Sequence, residues 1–400
     1  MLEYGIPPEF QDRLESITVN EQRPYDEILE SLRQYVPVVS EKNIWAYWDG
    51  GLDELPSWCR RNVVDWIRIC EPEWTVRLLD NVPGSPNHAL KFAPEEMLPK
   101  CFVEGTMTGK HAGQHASDMI SGALLYTHGG IKMDVGCILF RDLDRGLWSI
   151  LEDPESPYEI AAPIQYAQYL ANHFLAARKA NPFIKRWHDL FVHLWDNRND
   201  SEGINAHPLV AFLKQAFSMS ESKGKGFKWD FKVSIEELLD YVAQNGCWAR
   251  LCILAGTDDD PFNPSDYWMT HVLVIDVLRE HWVAKTVIGG ENFGQHLYQL
   301  MALSLDADPQ SKIYKEAYEL VWTLLCQASM QKISRGSGLV NALQPGSVWD
   351  DNSGSDCQPR TFGELLRYGS VHYRQKREVI TTNQPEKPQI TLRKGLLEPW

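Results

Sequence analysis

Between residues 117 and 144 the chain reads SDMISGALLYTHGGIKMDVGCILFRDLD, which gathers four carboxylates, Asp118, Asp134, Asp142 and Asp144, into one short stretch. Such a cluster can hold a hard divalent cation, exchange a proton, or pair bidentately with a guanidinium. Asp134 is the most telling of the four. A carboxylate that closes an otherwise apolar strand needs a partner or a ligand. Asp118 opens a helix, where it also complements the macrodipole, and Asp142 and Asp144 fall in a turn, where capping and solvation compete with a site role. Ser117, Ser121 and Cys137 lie beside the carboxylates and are the nucleophile candidates. His111 and His115 have a spacing to Asp118 that a metal could use, but Gly109 and Gly113 weaken the helix that would align them. No metal site is expected from these three.

The elements that must position these groups follow from periodicity. NIWAYW at 43 to 48 is a buried-strand run stopped by Asp49-Gly50-Gly51; a helix then runs from Ser57, a plausible cap, to about Ile69, and WTVRLLD at 74 to 80 is the next strand. Strand, helix and parallel strand place ligands beyond the carboxyl ends, where Asp49 and Asp80 fall. Trp48 could stack on a base or ring there, whereas Trp45 reads as core. SDMISGALLYTH is helical until Gly129-Gly130 stops it, and IKMDV follows as a strand. IAAPI at 160 to 164 continues the sheet, Asn181-Pro182 caps the next helix, and KIYKEAYELVWTLLCQ at 312 to 327 is another. The resulting organisation is a helical N-terminal extension over 1–40, an α/β catalytic domain over 41–335, a Gly/Ser/Pro/Asp-rich linker over 336–360 and a basic C-terminal segment over 361–400.

Composition narrows the class. The 400 residues are 44% hydrophobic, 11% aromatic and 23% charged, a globular profile with enough apolar material for a large core. The net charge of −15 argues against a surface that coats nucleic acid, and no DNA partner is expected. The last stretch differs. Residues 358–400 hold eight Lys and Arg against four Glu, or +4, which leaves −19 elsewhere. That segment, with Arg178, Lys179, Lys185 and Arg186, could contact RNA phosphates, and Arg374, Lys376 and Arg377 are its densest part. No apolar run approaches a membrane span, the first residues are not a signal peptide, and the cysteines form no disulfide framework, so a cytoplasmic protein is expected.

The Ser-Asp, helix, Gly-Gly and strand-to-Asp134 order resembles the sugar-nucleotide-binding core of type A glycosyltransferases, in particular the fungal proteins labelled capsular-polysaccharide-synthesis-like. The likeness covers about 41 to 200. It implies an α/β, Rossmann-like catalytic domain with a helical C-terminal region, Asp118 near the nucleotide, and an Asp-x-Asp at the strand end that holds Mn or Mg on a diphosphate. Two positions depart from that pattern: Gly136 stands where the second metal carboxylate belongs, and Ser121 where the helix commonly carries arginine. The combination also looks like a second fungal group on the same framework, the arginine-containing cyclodipeptide synthases. That resemblance implies arginyl-tRNA and a second aminoacyl-tRNA as partners, a cyclic arginine dipeptide as product, and no cofactor. Asp118, Asp134, Asp142 and Asp144 would then receive the guanidinium, with Asp49, Trp48, Asp80, Ser117 and Ser121 lining the substrate site. The leading expectation is this cyclodipeptide synthase; the alternative is a sugar-nucleotide-dependent glycosyltransferase.

Overall fold

Every residue of the strand β1, Asn43–Tyr47, is buried, the mark of a strand covered on both faces. The computed structural model describes residues 4–165, 169–215, 230–289, 292–336 and 338–399. After β1 come the helix α1 (Ser57–Cys70), β2 (Thr75–Leu79), α2 (Ala112–His128), β3 (Gly130–Met133), β4 (Ile160–Gln165), β5 (Tyr169–Leu170), β6 (Phe174–Ala177), α3 (Pro182–Leu194), β7 (Val272–Asp276) and β8 (Thr382–Asn383). These strands form one mixed sheet in the order β8-β7-β4-β6-β3-β1-β2, with β5 paired to β4. β1 runs parallel to β2 and β3, β4 parallel to β7, and β6 antiparallel to both of its neighbours. The fold is therefore α/β, with the carboxyl ends of β1, β2 and β3 at one edge.

The pleat sends alternate residues to two separate cores. Ile44 and Ala46 of β1, with Ile131 and Met133 of β3, join α1 and the tryptophans at 58, 66 and 74. Trp45 and Tyr47 join the other side, with Met119 and Leu124 of α2 and Trp187 of α3. Trp45 is core as expected, and its indole N–H donates to the Gly129 carbonyl at 2.9 Å. Asn181 caps α3 by accepting from the Phe183 and Ile184 amides, whereas Ser57 is the first helical residue of α1 and caps nothing. Among the described residues no helix is long and apolar enough to cross a membrane.

Both chain ends are tied in more firmly than composition implied. The N-terminal helix covers only Tyr25–Ser31, and ahead of it a strand, Leu14–Ser16, pairs antiparallel with Tyr373–Gln375. The stretch read as a linker contains the helix Pro345–Asp351, whose Val348 and Trp349 are buried; Trp349 meets Trp58 edge-on at 5.6 Å. Gly, Ser and Pro there make turns, but two apolar anchors commit the segment to the core. The basic segment carries the helix Phe362–His372, with Phe362, Leu365 and Leu366 buried in the same core as α1.

Candidate active site

Gly129 and Gly130 deliver Asp134 to its place. They adopt φ of +71° and +99°, which only glycine takes readily, and a Cβ at residue 130 would lie 2.5 Å from the Asn43 carbonyl oxygen. The pair therefore ends α2 and drops the chain directly against β1. Beyond β3 lies a cleft of about 1990 Å³, whose lining includes Trp48, Asp49, Ser117, Asp118 and Asp134. The first turns of α2 face it, so the positive end of that helix points into the opening.

Two lysines hold Asp134. Lys132 Nζ donates to Oδ1 at 2.5 Å and Lys332 Nζ to Oδ2 at 2.7 Å. Burial alone would raise the Asp134 carboxyl, but the two ammonium charges outweigh it and keep the group well below the usual carboxylate range. Burial likewise opposes the charge of Lys332, and Asp134 more than restores it. Lys132 also donates to the Asn172 carbonyl at 2.6 Å, and the Asn172 amide donates to Asp118 at 3.0 Å. One polar chain thus connects Asp118, Asn172, Lys132, Asp134 and Lys332.

A pair of buried histidines braces this chain from behind. The Asp134 amide donates to the His173 carbonyl at 2.8 Å and the Lys332 amide to the His281 carbonyl at 2.9 Å. The two rings meet at 2.9 Å between His173 Nε2 and His281 Nδ1. One nitrogen must donate and the other accept, which requires at least one neutral ring. Burial supplies that condition: it lowers both rings, His281 to about 4.

Asp118 is the second unusual carboxyl. Its burial raises it to about 7, partly offset by Lys132 and reinforced by Asp134. The folded state therefore binds this proton more tightly than the unfolded chain, so stability falls as pH rises from about 4 to about 7. Asp118→Asn, which removes the ionisable proton, is expected to match the parent near pH 4 and to exceed it in urea-unfolding midpoint above pH 7. Equal midpoints at both pH values would show that Asp118 ionises without penalty.

The other candidates scatter. Asp49, Trp48 and Ser117 line the cleft, and Arg335 lies 5.5 Å over the Trp48 ring. Ser121 does not: it is buried and its hydroxyl donates to the Asp118 carbonyl of its own helix. Asp80 is spent on its own loop, accepting from the Val82 amide and the Ser85 hydroxyl. Asp142 and Asp144 leave the site altogether. Asp142 caps the Asp144 amide, and Asp144 accepts from Lys42 and from Trp74, next to the amino end of β1 and so at the opposite edge of the sheet. Cys137 is fully buried and its thiol is pushed up to about 12, so it is no nucleophile.

All but one of the side chains assigned to RNA have partners within the chain, and Lys179 is tied through its backbone amide. Arg178 and the Lys179 amide bind Glu41, Lys185 binds Asp189, and Arg186 binds Asp260. Arg374 binds Glu15, Lys376 donates to the Gln11 carbonyl, and Arg377 forks onto buried Glu280.

Residues 11–204 match the family described as capsular polysaccharide synthesis protein. The chain is 49% identical to the probable glycosyltransferase FCK3 of Fusarium pseudograminearum, over 99% of this chain and 100% of that one. It is 37% identical to glycosyltransferase afumC of Aspergillus fumigatus, over 93% and 95%. It is 34% identical to O-glycosyltransferase PaGT of Phomopsis amygdali, over 89% and 88%. The chain belongs to this glycosyltransferase family and is a transferase. The expectation of a cyclodipeptide synthase fed by arginyl-tRNA and a second aminoacyl-tRNA is overturned by these full-length relatives, all named for glycosyl transfer. The departures that favoured it have other meanings. Ser121 faces its own helix, and Gly136 makes room for the segment that follows Lys332, since a Cβ there would lie 2.5 Å from the Ile333 carbonyl oxygen.

Lys132, Lys332 and Asn172 were missed from sequence. Lys132 carried a signal, because in a strand residues i and i+2 share a face and it stands two before Asp134. Lys332 carried none. It arrives from a distant segment through the strand Met330–Lys332, paired with Cys137–Leu139.

Proposed function

We propose that the protein transfers a glycosyl group from a nucleotide-sugar donor to a hydroxyl of a small acceptor. The observation that carries this reading is the convergence of Lys132, Lys332 and the N-terminal end of α2 on one cleft, a cationic corner of the kind a diphosphate requires. Asp49 and Asp118, on the same wall, are hydrogen-bond acceptors for donor hydroxyls. The lining also carries apolar and aromatic side chains, among them Tyr169, Leu239, Trp268, Trp282 and Ile390, which would suit an apolar acceptor. The names of two relatives, O-glycosyltransferases braB and PaGT, support oxygen as the acceptor atom.

In this arrangement the chain binds the donor's leaving diphosphate before and after bond cleavage. Donors aimed at charge that grows in the transition state lower the barrier more than they stabilise the ground state. The test is release of nucleoside diphosphate when the purified protein meets a panel of UDP-, GDP- and dTDP-sugars with apolar alcohols. Turnover of at least one donor, with a mass gain of one sugar on the alcohol, is expected. A panel in which no donor is turned over and none protects the fold against heat would sink the reading.

A further inference from the structure

We infer that this site neutralises the donor diphosphate with the ammonium groups of Lys132 and Lys332 and without a divalent cation, an inference that rests on the nucleotide-sugar reading. The Asp-x-Asp arrangement that the family resemblance implied does not fit here. A cation at Asp134 would stand beside two ammonium charges already held by its oxygens at 2.5 and 2.7 Å, a like-charge contact that disfavours it. It also needs further hard ligands, and among the described residues no group of three or more His, Cys, Asp or Glu stands close enough to hold an ion. The place of the second carboxylate is itself filled. A Cβ at residue 136 would meet the Ile333 carbonyl oxygen at 2.5 Å and Lys332 Nζ at 3.3 Å, so any side chain there would collide with the strand that brings in Lys332. The position that would carry a metal ligand is glycine because the Ile333 carbonyl occupies the space a side chain would need.

The donor count agrees. An ammonium has three N–H donors. Lys332 gives one to Asp134 and Lys132 gives one each to Asp134 and the Asn172 carbonyl, which leaves unspent donors on both. Two ammoniums against one carboxylate leave the Lys132–Asp134–Lys332 cluster with a net positive charge. The side chains are 7% exposed for Lys132, 18% for Lys332 and 30% for Asp134, so the cluster is sheltered yet reachable from the cleft. Asp134 then acts as a clasp that fixes both ammoniums, and the diphosphate oxygens take the remaining donors. The positive end of α2 adds to the same field.

Binding of UDP, GDP and dTDP, measured by titration calorimetry on the full chain in EDTA and again with Mn²⁺, tests this without turnover. At least one nucleotide is expected to bind in EDTA with a Kd within about threefold of its value in Mn²⁺, and Lys332→Ala to weaken it at least ~10-fold, or about 1.4 kcal/mol. The Ala variant keeps Asp134 paired with Lys132, so the fold has a charge partner left at the site. Binding that appears only with Mn²⁺ overturns the inference and leaves the nucleotide-sugar reading standing. A Lys332→Ala protein that binds as tightly as the parent also overturns it. Failure of all three nucleotides in both conditions removes the nucleotide-sugar reading, and the inference with it.

Discussion

Asp134→Asn is expected to lower kcat/KM at least ~100-fold, about 2.7 kcal/mol of transition-state stabilisation, while the far-ultraviolet circular dichroism stays that of the parent. The amide can still accept one lysine hydrogen bond, but its nitrogen faces the other ammonium as a donor. Lys132 and Lys332 lose the anion that sets their separation and are free to splay apart. Preorganised charge then becomes charge that must be gathered at the moment of reaction, which is where such sites lose rate. The loss should appear mainly in kcat, and Asp134→Glu should recover little because the longer side chain moves both contacts. A folded Asn variant within about threefold of parental kcat/KM would reduce Asp134 to a structural ion-pair partner.

The second large effect concerns stability. Arg377 forks onto both oxygens of Glu280 at 2.7 Å, and that carboxylate also accepts from Ser329 and from the Thr381 amide. Glu280 is fully buried. Burial by itself would raise its pKa, but the Arg377 hydrogen bonds and charge hold the carboxyl below its usual range. Removing Arg377 leaves a buried charge without its counter-ion, so Arg377→Ala is expected to cost about 3–5 kcal/mol in urea unfolding. Arg374→Ala, three residues earlier, breaks only an exposed pair with Glu15 and should cost under about 1 kcal/mol. A depressed carboxyl contributes stability above its unfolded pKa and loses it as pH falls through the folded value. The gap between parent and Arg377→Ala should therefore narrow in acid. Equal costs for the two arginines would refute this account of the C-terminal cations.

What could be read from sequence was local and periodic. The strand at 43 to 47, the helix at 312 to 327, the Asn181 cap and the Gly-Gly stop each follow from contacts a few residues apart, and each stands where expected. Asp134 could be singled out because a charge at the end of an apolar strand is conspicuous by itself. Its partner Lys332 could not, since nothing near 332 shows which strand it will lie beside. The same gap misplaced Asp142 and Asp144. Their sequence proximity to Asp134 suggested one cluster, but the strand Cys137–Leu139 carries the chain away from Asp134 before the turn begins. Charge counting failed for a related reason. It found the surplus of Lys and Arg after 358 but not Glu15 and Glu280, which neutralise part of it from elsewhere in the chain, nor the Gln11 carbonyl that accepts from Lys376.

The weaving of the C-terminal region into the fold has a consequence for biosynthesis. Tyr373–Gln375 closes a ladder with residues 14–16, and Thr382–Asn383 completes one edge of the central sheet. Residues 383–390 then supply part of the cleft wall. Closing a loop that spans nearly the whole chain carries an entropic cost, and contacts so far apart in sequence slow folding. A ribosome that has made everything up to Lys332 has produced the aspartate and both lysines, yet the sheet edge at 382–383, the Arg377 counter-ion of buried Glu280 and the cleft wall at 383–390 are still unmade. The nascent chain must hold an open sheet edge until residues 382–383 have emerged, and the cleft wall stays incomplete until residue 390 has followed.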